Sequence, residues 1–421
     1  MKRFNKIKNI SLALATAAVC FTACNKLELN PTPNTQPAQG TTPTLATLLD
    51  DPNFSVLKAA AKKAGLLPTL SVPTLRFTVF APDDAAITAS LPPGVPGLAY
   101  IASLDTPTVR ALVSYHIVPQ VIGSGSIAST FPNLQYPTIF NPAPAASALL
   151  RLTTFPSVRP GIGAWVNNIP IIATDVQAVN GVLHKVSRVV APPAIDLWAK
   201  INNDPDMTYL KAAIARADSG VAPGARLQDA LNTAVNPSAI GSNLTVFAPT
   251  DAAMQQFLVG AITQALVTQG VPLATAQGQA SFLVTTYGTL ILTNPYALSP
   301  VLGAAVTPTL AKGIVAYHIL SSQSGSFAPP GIRVFSVNIP NTATSVKTLL
   351  NSGISVHPGV TVQATFATLA PGVSVVTAAT VKGAANATAS NIIISAPPAF
   401  THDLHYVNGV IHKIDQVLLP Q

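Results

Sequence analysis

The sequence predicts an α+β fold built twice along one chain. Three observations carry this reading. Four sequence blocks recur in the same order, apolar residues at helical spacing open each copy, and β-branched runs with an Asn-Gly pair close each copy. Helices early, strands late and antiparallel closing pairs place each copy in the α+β class.

The N-terminal segment reads first. Lys2, Arg3, Lys6 and Lys8 precede an apolar run from Ile10 to Ala23, the pattern of a signal peptide over residues 1–23. The run is interrupted by Ser11 and Thr16 and is too short for a membrane-spanning helix. Phe21-Thr22-Ala23-Cys24 resembles the lipobox of bacterial lipoproteins, with Phe21 where Leu is commoner. That resemblance implies lipidation of Cys24 and anchoring by acyl chains. Cys20, preceded by Val19, fits less well, and no other cysteine exists, so a disulfide framework is excluded. Residues 24–43 are rich in Pro, Thr, Asn and Gln; they read as a flexible stalk that, at ~3 Å per residue, reaches about 60 Å.

The repeat follows. Asp51 to Ala60 recurs as Asp204 to Ala213, and Phe77 to Ala86 as Leu244 to Ala253. Tyr115-His116-Ile117 recurs as Tyr317-His318-Ile319, and Val179 to Val186 as Val407 to Ile414. The spacing between copies grows along the chain, so the second carries insertions, the largest running from about Gly260 to Thr309. Each copy is of ordinary domain size, and the break falls near Pro192-Pro193, giving domains over 44–193 and 194–421.

Within a copy the local physics is legible. Leu57, Ala60, Ala61 and Ala64 share one helical face behind Asp51-Pro52 and Ser55, with Ser55 suited to cap the helix. Phe77 to Phe80 reads as a strand stopped by Pro82, and Asp83-Asp84 suit the first turn of the next helix. Asn180-Gly181 and Asn408-Gly409 read as hairpin turns whose geometry demands positive φ.

Composition narrows the function. The chain is 48% apolar and 9% charged, which excludes disorder. The formal charge of +8 is concentrated partly in the N-terminal segment, and the remaining Lys and Arg are scattered, so nucleic acid is not an expected partner. No Gly-x-Ser-x-Gly, phosphate-cradling Gly loop or His-Glu-x-x-His occurs, and 15 acidic residues leave little for a paired acid/base site. No catalytic residue and no cofactor are expected. His402, Asp403, His405 and His412 form the one metal-like cluster, at a spacing that matches no zinc pattern, and no metal is expected.

The blocks resemble the fasciclin (FAS1) domain. Its Thr-Val-Phe-Ala-Pro-Thr-Asp-Ala-Ala-Phe segment matches Thr245 to Met254 except at Met254, while the first copy has Asp83 and Ile87 in place of the Thr and the last Phe. Its Tyr-His pair matches Tyr115-His116 and Tyr317-His318, and its Asn-Gly-Val-Ile-His block matches Asn180 to His184 and Asn408 to His412. The resemblance implies two tandem fasciclin-like domains, each of two packed β-sheets with helices along one side, and a role in cell adhesion or matrix binding. In animal members the Tyr-His pair and an Asp-Ile pair before the Asn-Gly turn are linked to receptor binding. The second pair falls at Asp175-Val176 and Asp403-Leu404, neither of them Asp-Ile.

The candidate binding residues are therefore Tyr115, His116, Tyr317, His318, Asp175 and Asp403. For the Tyr-His pairs, packing of ring and polar tip is the competing reading. For His184 and His412, alternating with apolar neighbours, it is a structural hydrogen bond. The expected function is a membrane-tethered, non-enzymatic adhesion or matrix-binding lipoprotein of the cell envelope. It would sit on the outer membrane, periplasmic-facing or surface-exposed, with a matrix component, cell-surface protein or polysaccharide as ligand. A carbohydrate-capture lipoprotein of a glycan uptake system and a structural envelope protein are the alternatives. Exposed aromatics in a groove would mark the former, and Trp165 and Trp198 are the only tryptophans.

Overall fold

In each copy, two of the recurring blocks become neighbouring central strands. Phe77–Pro82 runs parallel to Gly181–Val186, with Phe80 beside His184, and Leu244–Pro249 runs parallel to Gly409–Ile414, with Phe247 beside His412. Parallel strands covered on both faces read as continuous apolar runs. Both Phe77–Pro82 and Leu244–Pro249 are buried along their whole length. The strand directly after each Tyr-His pair, Ile117–Val118 or Ile319–Leu320, pairs antiparallel to the other edge. The computed structural model describes residues 42–132, 134–145, 147–234, 242–320, 332–370, 373–395 and 401–420. The expected signal segment, Cys24 and the 24–41 part of the stalk lie outside the described residues.

The first copy forms a six-stranded sheet that continues from Gly181–Val186 through Ile169–Ala178 and Gly163–Val166 to Pro156–Arg159. Register shifts between Ile171, Ala173 and Val176 bend the long strand. Its outer half then packs across the central strands, so Phe80 and Val186 share a core with Val166 and Ile171. On the opposite face Phe77, Val79 and Leu183 pack against Leu57, Ala61, Val109 and Val113 of the helices. The second copy repeats this in an eight-stranded sheet, with the long ribbon Val360–Ala370 and Val373–Lys382 as its outer half. Helices on one face and strands on both layers make the fold α+β.

The Ser55–Lys63 helix places Val56, Leu57, Ala60 and Ala61 in the core, with Lys62 and Lys63 where the helix dipole favours cations. Ser55 is not its cap. The serine is the first helical residue, and the cap comes from Asp84. Asp83 caps the Asp84–Thr88 helix through Ala86 N at 2.7 Å. In the second copy that short helix becomes Asp251–Thr268, followed by Leu273–Tyr287 packed against it, and these two helices carry the first part of the insertion, with shorter helices after them.

The turn expected at Asn-Gly is corrected. The two-residue loops are Val179-Asn180 and Val407-Asn408, because Ala178 pairs with Gly181 and Tyr406 with Gly409. Gly181 and Gly409 open the central strand, where another strand approaches too closely for a side chain. A Cβ would stand 1.9 Å from Phe77 O at Gly181 and 2.4 Å from Leu244 O at Gly409. Gly181 does keep a positive φ (153°), and among non-glycine residues positive φ also falls on Asp175 (61°) and Asp403 (52°).

Pro43–Gln421 forms one compact unit. Each copy has its own helical-face core, and a smaller cluster of Phe155, Trp165, Phe335, Val337 and Val410 is common to both.

Candidate functional site

The recurring polar residues of the blocks converge beside the central strands, and nearly every bond occurs twice. His116 Nδ1 donates to Leu112 O at 2.8 Å while Nε2 accepts from Val190 N at 3.0 Å. His318 does the same with Ile314 O (2.8 Å) and Leu418 N (2.9 Å). Each histidine therefore ties its helix end to the chain leaving the last strand. Burial lowers the imidazole pKa of both to about 4, so both are neutral at pH 7.

Tyr115 donates to Thr153 O at 2.8 Å, and Tyr317 to Gly359 O at 2.5 Å. Desolvation pushes the Tyr115 phenol up to about 12. All four Tyr-His side chains are at most 2% exposed. As candidate binding residues they are corrected on this ground: a ligand reaches them only if the core opens.

Asp175 and Asp403 lie nearer the surface. Ser336 N and its hydroxyl each donate to Asp403 at 2.6 Å, and Ser124 N (2.8 Å) and hydroxyl donate to Asp175. Burial raises the Asp175 carboxyl, but the Ser124 bonds outweigh it and hold the pKa below the usual value. The left-handed backbone turns each aspartate N–H onto a histidine Nδ1, His184 at 3.2 Å and His412 at 3.3 Å. The far nitrogens reach Ile122 O (2.7 Å) and Val334 O (2.8 Å). These carboxylates clamp a neighbouring loop.

Asn180 and Asn408 are brackets. Asn180 Oδ1 accepts from Leu45 N at 2.8 Å and its Nδ2 donates to Leu70 O at 2.7 Å; Asn408 engages Leu197 N and Leu231 O, both at 2.9 Å. Each asparagine joins the entry of its copy to the closing hairpin.

The metal-like cluster comes together only in part: Asp403 lies 3.9 Å from both His402 Nε2 and His412 Nδ1, while His405 turns away. His405 turns to Arg333, Nε2 to Nη1 at 2.7 Å, and lies edge-on to Phe335, while His412 is engaged through both ring nitrogens. Among the described residues no group of three or more His, Cys, Asp or Glu could hold a metal ion. Desolvation, with Arg333 adding to it, drives the His405 pKa well down. Trp165 is buried at the junction between the copies, and Trp198 packs against the second core.

Among the described residues, a surface beside one of these motif residues that is open to a partner lies next to Asp175. Val176 is 40% exposed and lines a 360 Å³ cleft with Thr47, Asp51, Asn53 and Lys185. Lys185 pairs with Asp83 at 2.6 Å. Its counterpart Lys413 is instead drawn to Asp204 (3.1 Å) and Asp206 (3.0 Å), tying together in the second copy the side chains that border the cleft in the first.

Sequence reasoning missed four participants. Thr78 and Thr245 each accept from the chain beyond the adjacent edge strand (Ile122 N, 2.8 Å; Val334 N, 2.9 Å) and sit inside a recurring block, so their recurrence was a readable signal. Arg159 and Arg333, which join the copies, have no recurring counterpart and gave none.

A fasciclin domain model matches residues 52–192. The chain is 34% identical over 140 residues to protein sll1483 of Synechocystis, covering 33% of this chain and 68% of that protein. It is 30% identical over 151 residues to the uncharacterized protein sll1735 of the same organism, covering 34% of this chain and 92% of that one. Similarity to the transforming growth factor-beta-induced protein ig-h3 of Sus scrofa is 29% over 162 residues, covering 36% of this chain and only 20% of that protein. Among solved structures, a FAS1 domain pair from the insect cell adhesion molecule fasciclin I aligns over 89% of this chain and 95% of its own, at 16% identity and a TM-score of 0.30.

Proposed function

The chain belongs to the fasciclin domain family, a family of adhesion-type and extracellular proteins, and on that premise we propose that it is a non-enzymatic adhesion or matrix-binding lipoprotein, tethered outside the cytoplasm through Cys24. The observation that carries the reading is how the motif side chains are spent. His116, His184, His318 and His412 are bonded through both ring nitrogens, and Asp175 and Asp403 clamp serines. A general base needs a free lone pair within reach of substrate; the four imidazoles hold none, and both oxygens of each aspartate already accept from a serine. The motifs build a rigid frame, and recognition falls to the surface the frame presents. In the first copy that surface is the cleft of Val176, Leu48 and Phe54 with Asp51, Asn53 and Lys185, an apolar lining with polar residues beside it.

Tandem copies would add avidity toward a repeating ligand. The test uses cells carrying the full chain. Deletion should reduce surface attachment, and Val176→Asp should reduce it several-fold at unchanged protein level. Unchanged attachment, biofilm and glycan-array binding after deletion would overturn the adhesion reading. An unmodified Cys24 in the intact mass of native protein would remove the tether.

A further inference from the structure

The two copies differ at one place where their helices meet the sheet. In the first, a pocket of 240 Å³ is bounded by Ala60, Ile87, Ser90, Leu112, Val113 and Ala191, among others. In the second, the matching positions Ala213, Met254, Phe257 and Ile314 line a space of only 30 Å³. The block alignment that pairs Phe80 with Phe247 also pairs Ser90 with Phe257, and the one that pairs His184 with His412 pairs Ala191 with Leu419. Phe257 and Leu419 both pack against the second core. The second copy therefore fills with its own phenyl ring and isobutyl group what the first leaves open.

The geometry points to a binding site in the first copy for a phenyl-sized apolar group of a small molecule. Its floor, Leu57, Ala60 and Val113, is buried, and its mouth lies at the exposed Ser90 and Ala191. No charged residue lines it. Two polar groups of the lining are already committed, the buried His116 through both nitrogens and Ser90 at the mouth by donating to Ala86 O at 2.8 Å and accepting from Val189 N at 3.0 Å; Tyr100 adds the other hydroxyl. A ligand thus gains chiefly by burying apolar surface, and a charged group entering would lose its hydration without a charged partner. The volume is ample, since an apolar cavity of about 150 Å³ suffices for benzene in other proteins. Phe257 itself shows that a ring is the shape these walls accept. This site is separate from the Val176 cleft and does not depend on the adhesion reading.

The experiment is thermal unfolding of the full chain with toluene, with benzoate as the charged probe of the same ring. Toluene near saturation should raise the Tm by roughly 2 °C or more, as binding to the folded state alone requires, and benzoate should not. Ser90→Phe installs the second copy's residue and should abolish the toluene shift. The second copy carries Phe257 at this position without the serine hydroxyl, so the substitution fits the fold. Ala191→Leu, at an exposed position, provides the same test if Ser90→Phe does not fold, and should at least halve the shift. No shift with toluene, an equal shift with benzoate, or a toluene shift undiminished in both variants would overturn the proposal.

Discussion

Asp84 caps a helix that it does not belong to: its carboxylate accepts from Val56 N at 2.9 Å and from the Ser55 hydroxyl at 2.5 Å. Asp251 repeats the bond with Tyr209 N at 3.0 Å and Thr208 at 2.5 Å. Two blocks far apart in sequence are one capping device in space. The first N–H groups of a helix have no intrahelical acceptor, and a carboxylate there also meets the positive end of the dipole.

Removing the cap should therefore cost about 1–2 kcal/mol at each site. Asp84→Ala and Asp251→Ala should lower the denaturant midpoint by similar amounts. Because the two lie against separate cores, the double variant should show nearly the sum. Equilibrium unfolding by circular dichroism reads this. A cost within error of zero at both sites would mean that water replaces the carboxylates.

The capping device shows where sequence reading succeeds and where it stops. The strand at Phe77, the helix behind Asp51-Pro52 and the closing hairpins follow from periodicity and turn chemistry, which are local. That Asp84 serves Ser55 rather than its own helix is a long-range fact, visible only as two blocks recurring together. The glycines were assigned to the right hairpin but one position off, since each opens the strand that follows the turn. Gly181 is required by the approach of Phe77 O across the parallel pair, and no local pattern reports a neighbouring strand. The Val176 cleft depends on which acid Lys185 chooses, which spacing does not fix. Arg333 lacks any repeat partner, and its buried position between the copies left no trace in the sequence.

The close approach at the hairpins sets a second expectation. Gly181→Ala and Gly409→Ala each drive a Cβ into a backbone carbonyl, a contact that rigid central strands cannot relieve. Each should destabilise by more than 3 kcal/mol, the range of severe core strain. Gly260→Ala serves as the contrast. It sits inside the Asp251–Thr268 helix with open space around it, and alanine there should stabilise by roughly 0.5–1 kcal/mol. Melting temperatures of the three variants decide between steric and merely conformational roles for glycine.

The buried histidines set a pH dependence. His116 and His318 have an ordinary pKa of 6.5 and a folded value of about 4. Between those values the unfolded chain binds protons that the folded chain refuses, so stability rises with pH. It is complete above about pH 6.5, falls as pH drops toward 4, and levels off below, where both states are protonated. Each histidine contributes on the order of 3 kcal/mol to that loss. Urea midpoints measured from pH 7.5 to 4 should fall steadily, and His116→Asn or His318→Asn should flatten the profile while lowering stability at pH 7. A midpoint independent of pH over this window would contradict burial of the neutral rings.

The junction between the copies gives the last expectation. Arg159 of the first copy donates from Nε to Val337 O at 2.7 Å and from Nη2 to Ile339 O, with its guanidinium 4.7 Å from the Phe366 ring. Asn338 Nδ2 adds a bond to Ser157 at 2.7 Å, and Ser374 donates to Ile162 O at 2.9 Å. Partial burial lowers the Arg159 pKa to about 10, still high enough to keep the charge at pH 7. A planar fork satisfies two carbonyls at once, which a lysine cannot do. Arg159→Ala leaves both carbonyls facing a poorly hydrated seam and should cost about 1–3 kcal/mol of coupling between the copies. In calorimetry the wild type should unfold as a single transition, because the shared cluster around Phe155 and Phe335 makes each copy depend on the other. Arg159→Ala should split that transition in two, and Arg159→Lys should fall between. A single, unshifted peak in Arg159→Ala would show that apolar contact alone joins the copies.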